Sequence, residues 1–333
     1  MPKEKIKTGV VGVGALGRHH LKWYSQLPQS QLVGLLDIDA DKAARYAAEY
    51  NVTAFKSLEE LAEQVEAVSI VVPTTAHFET ASFLIEHGVH CMIEKPVAVS
   101  LDEAKRLREM AEKSHVKVTV GQIERFNPAV QALSGLDIRP SFIEAHRLAA
   151  FDPRGTDVAV VLDLMIHDID LALYLVKSEV VEIQASAVAV ISDRADIANA
   201  RLTFANGAVA NLTASRISLN AMRKLRIFQQ SGYFSLDLAQ KQADIYRLAG
   251  PDNEQQGLRL PLGKSGKDLV YTKKPDSGED MLGMELGSFL SAVIDDSSPM
   301  VSVEEAAEAL RVALDVDRIG KESLAKMLEA LPA

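Results

Sequence analysis

Up to about residue 122, apolar residues cluster in short runs separated by longer mixed stretches. Runs at residues 7–13, 32–37, 68–73, 89–94 and 117–122 are rich in Val and Ile and apolar on both faces. Such runs suit strands of a parallel sheet buried under helices on both sides. The stretches between them, residues 15–26, 40–49, 58–64, 75–86 and 101–113, read as helices. Ser57 and Ser100 stand where N-caps belong, and Gly88 lies just beyond a helix end. Alternating β and α units of this length predict an α/β fold with a doubly wound, Rossmann-type parallel sheet.

Beyond residue 122 the rhythm changes. Residues 142–148, 181–191, 198–204, 208–215, 225–229 and 233–238 are successive strand candidates, and Asn206-Gly207 is a strong hairpin signal. One long helix is expected near residues 158–176. Residues 250–278 are polar and rich in Gly, Pro and Lys, so they read as a loop, and helices at 281–294 and 303–329 close the chain. The expected organisation is a dinucleotide-binding domain at 1–122. An α+β domain for substrate and oligomerisation follows at 123–333, with an open, mostly antiparallel sheet and helices on one face.

A length of 333 residues suits two domains, and 47% hydrophobic with 25% charged residues is ordinary for a folded chain. The 36 Lys and Arg against 46 Asp and Glu leave a net charge of −10, which repels phosphate backbones and argues against a nucleic-acid partner. Cys91 is the single cysteine, so no internal disulfide forms, as suits a reducing compartment. It also leaves no Cys/His cluster with metal-ligand spacing, so no metal is expected. No stretch reaches the roughly 18 apolar residues of a membrane helix. The glycine-rich run at 8–17 reads as a strand entering a turn rather than a signal peptide. A cytoplasmic protein without membrane insertion is expected.

The chemistry begins at that turn. Gly12-Val13-Gly14-Ala15-Leu16-Gly17 follows the first strand and opens the first helix. Gly12 permits the tight turn, Gly14 lets the backbone approach a pyrophosphate, and Gly17 lets helix and strand pack closely. The helix start offers N–H groups and a positive partial charge to phosphates. Asp37 ends the second strand, twenty residues after Gly17, where a carboxylate can bond a ribose 2′-hydroxyl. No arginine follows to meet a 2′-phosphate, so NAD is favoured over NADP.

Glu94-Lys95-Pro96 follows the fifth strand, at the carboxyl edge of the sheet. A lysine there can stabilise an alkoxide as it forms. In the long helix, Asp163, His167 and Asp170 fall at i, i+4 and i+7 on one face, and a histidine one turn from a carboxylate can serve as a base near neutral pH. His19 and His20 read as solvent-facing.

These pieces, with Val72-Pro73-Thr74-Thr75-Ala76-His77 and the run from Asp163 to Asp170, together resemble the Gfo/Idh/MocA oxidoreductases over essentially the whole chain. The resemblance implies a catalytic group of Lys95, Asp163 and His167. It implies cofactor contacts from Gly12, Gly14, Ala15, Leu16, Gly17 and Asp37, from Pro73, Thr74 and His77, and from Glu94 and Lys95. Val72 and Thr74 depart from the family, standing where members often carry Ser or Thr and Asn. The segments from Gly121 to Pro128 and from Asp152 to Asp163 are similar to members that oxidise the 3-hydroxyl of UDP-N-acetylglucosamine. That implies a sugar substrate, a keto product consumed by a partner aminotransferase, and cations for a diphosphate. Arg125, Arg147, Arg154, Arg216, Arg223, Lys224 and Arg226 are candidates. Arg125 and Arg154 lead because they lie in those two segments, beside Lys95, Asp163 and His167 as substrate contacts. Free-sugar or inositol oxidation, or a non-catalytic dinucleotide sensor, are the rival readings. Which of Lys95 and His167 accepts the proton stays open. A homodimer or homotetramer is expected, because the open sheet would expose an apolar face.

Overall fold

The structure, a computed structural model, describes residues 5–151, 159–192, 194–249, 257–263 and 267–330. Contacts divide the chain into two units. One is Met1–Phe126 with Glu279–Leu310, and the other is Asn127–Gly278 with Arg311–Ala333. Part of the C-terminal sequence thus returns to the first unit, whereas the sequence reading places one boundary at 122/123.

The first unit alternates strand and helix in chain order. It runs β1 (Ile6–Val11), α1 (Gly17–Gln26), β2 (Ser30–Leu36), α2 (Ala40–Tyr50), β3 (Thr53–Ala54) and α3 (Leu58–Ala62). It continues with β4 (Ala67–Ile70), α4 (His77–Glu86), β5 (His90–Glu94), α5 (Leu101–Ser114) and β6 (Val118–Gly121). The strands form one six-stranded sheet in the order β3-β2-β1-β4-β5-β6. Every pairing is parallel. The order reverses between β1 and β4, and the carboxyl ends flanking such a reversal are where α/β sheets bind ligands. Ser57 and Ser100 cap α3 and α5 by accepting the N–H groups of Glu60 and Glu103.

Helix α8 (Met281–Ile294) explains why the late segment belongs here. Its Leu286, Phe289 and Leu290 are buried in one cluster with Val10, Leu21, Tyr24, Leu35 and Met92. At Gly283 a Cβ would lie 2.9 Å from Cε3 of the Trp23 ring, so the missing side chain lets α8 settle against α1. The apolar periodicity of residues 281–294 predicts the helix but not the sheet it covers.

The second unit contains α6 (Pro128–Gln131), β7 (Phe142–Leu148), α7 (Ile166–Val176), β8 (Val180–Val188), β9 (Ile197–Phe204) and β10 (Val209–Ser215). Then come β11 (Met222–Gln229), β12 (Gly232–Asp237), β13 (Gln242–Leu248), β14 (Leu258–Pro261) and β15 (Asp268–Lys274). Helix α9 (Val303–Ala330) closes the described chain. The strands form a nine-stranded sheet, β14-β15-β13-β12-β11-β7-β10-β9-β8, antiparallel except where β7 meets β10. The hairpin at Asn206-Gly207 joins β9 to β10, with Gly207 at φ +86°. Strands β14 and β15 lie inside the stretch expected to be loop. Edge strand β14 is only four residues long and mostly exposed, and of β15 only Val270 is buried, so burial leaves little pattern to read.

Alternation along β7 sorts the two faces. Ile143, Ala145 and Arg147 are buried, whereas Phe142, Glu144 and His146 are only half-buried. Helix α7 meets the buried face. Arg147 holds Asp168 there with two hydrogen bonds of 2.9 Å, Nε to Oδ2 and Nη2 to Oδ1.

The loop between β8 and β9 is built around Asp196, which is fully buried. Its Oδ2 accepts the N–H groups of Val190, Ile191 and Ser192 at 2.8, 2.7 and 3.1 Å, and its Oδ1 accepts the Ser192 hydroxyl. Burial pushes this carboxyl up, but those donors outweigh it and hold the pKa down to about 2. That lies below the unfolded value, so the stabilisation is complete above about pH 4 and fades as pH falls toward 2. Asp196→Asn should therefore cost about 2 kcal/mol at pH 7 and clearly less at pH 3, as read by urea unfolding at the two pH values.

Candidate active site

In the first unit, the segments that leave the carboxyl ends of β1, β2, β4 and β5 carry the residues singled out by the sequence. The turn after β1 is shaped by what its glycines lack. Gly12 has φ +86°, and a Cβ there would strike the Val71 carbonyl. A Cβ on Gly17 would collide with the Gly12 carbonyl oxygen. At Gly14 a Cβ would meet nothing within 4 Å. Gly14, Ala15 and Leu16 are exposed, and α1 begins without a side-chain cap or an acidic residue in its first turn. Its leading N–H groups are thus left by the chain's own side chains for an anion.

Asp37 follows β2 with its side chain 7% exposed. Oδ2 accepts the Val13 N–H at 2.7 Å, tying the glycine turn to the end of β2. Oδ1 accepts the Asp39 N–H at 2.9 Å and lies 3.6 Å from the Lys42 ammonium, which also faces Asp39 at 3.4 Å.

After β4, Pro73 is exposed and Thr74 half-buried in a 3₁₀ turn that leads into α4. His77 is buried, with Nδ1 2.9 Å from the Pro96 carbonyl and Nε2 2.9 Å from the Val72 carbonyl. Its ring therefore clasps the segments after β4 and β5 together. Burial pulls its pKa down, and the facing carbonyls and Glu94 only partly offset this. The sequence reading made His77 a cofactor contact; both of its nitrogens are instead directed at this chain's own backbone.

Glu94 ends β5, and Lys95, joined to Pro96 by a cis peptide bond, is half-buried beside it. Glu94 Oε1 lies 3.1 Å from His20 Nε2, and Oε2 accepts the Lys95 N–H at 3.3 Å. Burial raises the Glu94 pKa, but the hydrogen bond with His20 and the N–H and ammonium of Lys95 carry it below the usual carboxylate value. His20 is only 1% exposed, which corrects its expected solvent-facing place. The signal was present in the sequence. Gly17, His20, Leu21 and Tyr24 fall at i, i+3, i+4 and i+7, and these are the buried residues of α1.

Arg125, expected as a substrate contact, is placed inside the first unit. It lies in the 3₁₀ turn Ile123–Phe126 and is 1% exposed. Its Nη1 donates to the Met300 carbonyl and to Glu305, each at 3.1 Å, so the guanidinium secures the segment leading into α9. Arg154 lies outside the described residues.

In the second unit, Asp163 belongs to a π-helical turn, Val161–Met165, that runs directly into α7 with His167 in its first turn. Both side chains are half-buried. The wider π turn brings residues four apart closer to one line along the axis than an α-helix does, and such turns recur at functional sites. Asp168 and Asp170, by contrast, are buried. The sequence did not single out the Arg147–Asp168 pair, because a strand residue and a helix residue 21 positions apart leave no local pattern. Among the described residues, no group of three or more His, Cys, Asp and Glu could hold a metal ion, and no helix is long and apolar enough to cross a membrane.

Residues 6–122 match the oxidoreductase family with an NAD-binding Rossmann fold, and residues 141–235 match the GFO/IDH/MocA C-terminal domain. The chain is 42% identical to a UDP-N-acetylglucosamine 3-dehydrogenase of Acidithiobacillus ferrooxidans, over 86% of this chain and 88% of that protein. It is 24% identical to a myo-inositol 2-dehydrogenase of Thermotoga maritima, over 92% and 93% of the two chains. The solved structure of the A. ferrooxidans enzyme GnnA superposes with a TM-score of 0.87 at 38% identity, covering 96% of this chain and 99% of that one. An NAD-binding oxidoreductase of Klebsiella pneumoniae shares the fold at 19% identity, with a TM-score of 0.81 over 95% and 97%. The parallel sheet with its glycine turn, the mixed sheet beside the helix of Asp163 and His167, and these matches together establish that the chain belongs to the Gfo/Idh/MocA family of dinucleotide-dependent oxidoreductases.

Proposed function

We propose that the chain oxidises the 3-hydroxyl of UDP-N-acetylglucosamine with NAD. The observation that carries this reading is the 42% identity to a UDP-N-acetylglucosamine 3-dehydrogenase over 88% of that protein's length. The inositol dehydrogenase relative named above stands at 24%.

The first unit fits a dinucleotide. The open space at Gly14 admits a pyrophosphate against the backbone, and the uncapped start of α1 supplies N–H donors. Asp37 keeps acceptor capacity for a ribose hydroxyl. Around Lys42 there are two carboxylates for one ammonium, a balance that disfavours a 2′-phosphate and supports NAD over NADP. Bound NAD supplies the hydride acceptor.

The remaining chemistry belongs to side chains. His167 accepts the hydroxyl proton, and Asp163, four residues earlier, orients the imidazole. Lys95 donates a hydrogen bond that strengthens as charge develops on the substrate oxygen, a contribution worth about 2.7–4 kcal/mol for one well-aimed donor. The product would be a keto sugar, a substrate for an aminotransferase, and a cytoplasmic setting would supply both nucleotide sugar and NAD.

The open face of the second sheet supports a homo-oligomer. Phe142, Phe228, Tyr233, Tyr246 and Tyr271 pair directly across five neighbouring strands, with ring centroids 5.8, 4.8, 5.6 and 4.9 Å apart. Beside them the same face carries Glu144, Arg201 and Arg226, both signs of charge, so it can meet a second copy of itself about a two-fold axis.

Four outcomes are expected. Purified protein with NAD and UDP-N-acetylglucosamine should reduce the cofactor, followed at 340 nm with an aminotransferase as trap, whereas turnover of myo-inositol alone would reject the substrate assignment. Lys95→Met should lower kcat by about 10²–10³ while the NADH dissociation constant stays within about twofold. Gly14→Val should abolish NADH binding with an unchanged melting temperature, because its side chain enters space the fold leaves open. Tyr246→Asp should shift the light-scattering mass from oligomer to monomer.

A further inference from the structure

We infer that His20 is a positioning residue for the oxidoreductase reaction: from the fingerprint helix it fixes the Glu94 carboxylate, and through it the turn that carries Lys95. The role assigned to Lys95 rests on the dehydrogenase reading above. The His20–Glu94 contact does not.

A buried histidine on the inner face of α1 needs a reason. Its neighbours on that face, Leu21 and Tyr24, serve the core, and an aliphatic residue at 20 would serve it equally well. The imidazole instead reaches the sheet edge, with Nε2 3.1 Å from Glu94 Oε1. Its Nδ1 is buried without a hydrogen-bond partner, so the tautomer with its hydrogen on Nε2 is the one whose N–H finds an acceptor. Glu94 is 17% exposed and bounded on three sides. His20 holds Oε1, and the Lys95 N–H holds Oε2 at 3.3 Å. On the third side is Gly121, where a Cβ would lie 3.0 Å from Oε2 and 3.2 Å from Cδ. The carboxylate therefore has one settled position, and His20 is the side-chain donor that defines it.

The placement links two jobs. Helix α1 offers its N-terminus to the pyrophosphate, and Glu94 immediately precedes the lysine expected to face the reacting oxygen. A single hydrogen bond from α1 to Glu94 thus sets where Lys95 begins relative to the phosphate-binding turn. A small misplacement of a reacting group is costly, because rate falls steeply with lost alignment.

The test compares His20→Leu, His20→Gln and Tyr24→Phe in the full chain. Glutamine can place an amide N–H close to where the imidazole Nε2 stands. Tyr24→Phe removes a different buried hydrogen bond of the same helix, the one to Ser69 at 2.8 Å. The readouts are NADH affinity by energy transfer from Trp23, the only tryptophan, kcat and KM for UDP-N-acetylglucosamine, and melting temperature. His20→Leu should weaken NADH binding and lower kcat, each about tenfold, while KM for the sugar stays within about twofold. His20→Gln should recover most of both, and Tyr24→Phe should shift the melting temperature alone. Wild-type affinity and kcat in His20→Leu would overturn the inference, as would equal losses in the Leu and Gln variants. If His20→Leu does not fold, His20→Gln against Tyr24→Phe decides: a kcat loss in Gln no smaller than about tenfold overturns it. Should the wild-type protein leave UDP-N-acetylglucosamine unoxidised, the substrate reading fails, and the NADH titrations still decide the role of His20.

Discussion

Between Gly12 and Gly17 there is no room for a side chain, and that contact fixes where α1 starts against β1. Much of the first unit's site follows from it. With the helix start set, the residues at 20, 21 and 24 point into the sheet. Leu21 joins the core, Tyr24 bonds Ser69 on β4, and His20 meets Glu94 on β5. The turn itself is closed from the other side by Asp37, which accepts the Val13 N–H. Strands β1, β2, β4 and β5 are thereby tied to one short loop and one helix. The same loop leaves Gly14 open to solvent, so the steric constraint that builds the turn also shapes the anion-sized space beside it.

What the sequence made legible is what local rules determine. Runs apolar on both faces marked the parallel strands, Ser57 and Ser100 marked helix starts, and Asn206-Gly207 marked a hairpin. Each depends on residues a few positions apart. What was hidden depends on distant partners. The periodicity of α8 gives a helix with an apolar face but cannot say that this face covers β1 and β5. Arg125 reads as a free cation until Met300 and Glu305, more than 170 residues later, take its guanidinium. The edge strand β14 and its neighbour β15 bury only Val270 between them, so backbone pairing defines them more than burial does. The π turn at Val161–Met165 has no compositional mark, yet it adjusts the alignment of Asp163 with His167 beyond what i, i+4 spacing on an α-helix implies.

Buried charge adds a further layer of order. The acidic chain places two of its buried cations against carboxylates: Arg125 meets the exposed Glu305, and Arg147 meets Asp168 with both partners buried. Burying a pair of this kind contributes little net stability, because desolvation offsets the attraction. Removing one partner is far more costly, since the other is then left charged in a dry site. Such pairs therefore act as geometric constraints more than as a source of stability.

The Arg147–Asp168 fork illustrates the consequence for chemistry. Two parallel hydrogen bonds from a planar guanidinium set direction as well as distance, which the point charge of a lysine cannot do. Asp168 is thereby committed to β7, and the rotation of α7 about its axis is fixed. His167, the preceding residue, lies about 100° around the helix from Asp168. It is accordingly turned to the flank, half-buried rather than packed into the sheet, and Asp163 emerges half-buried from the turn before it. The same fork that closes the core at β7 thus keeps an imidazole and a carboxylate out of it. An apolar pair of equal volume could preserve the packing and still lose that orientation.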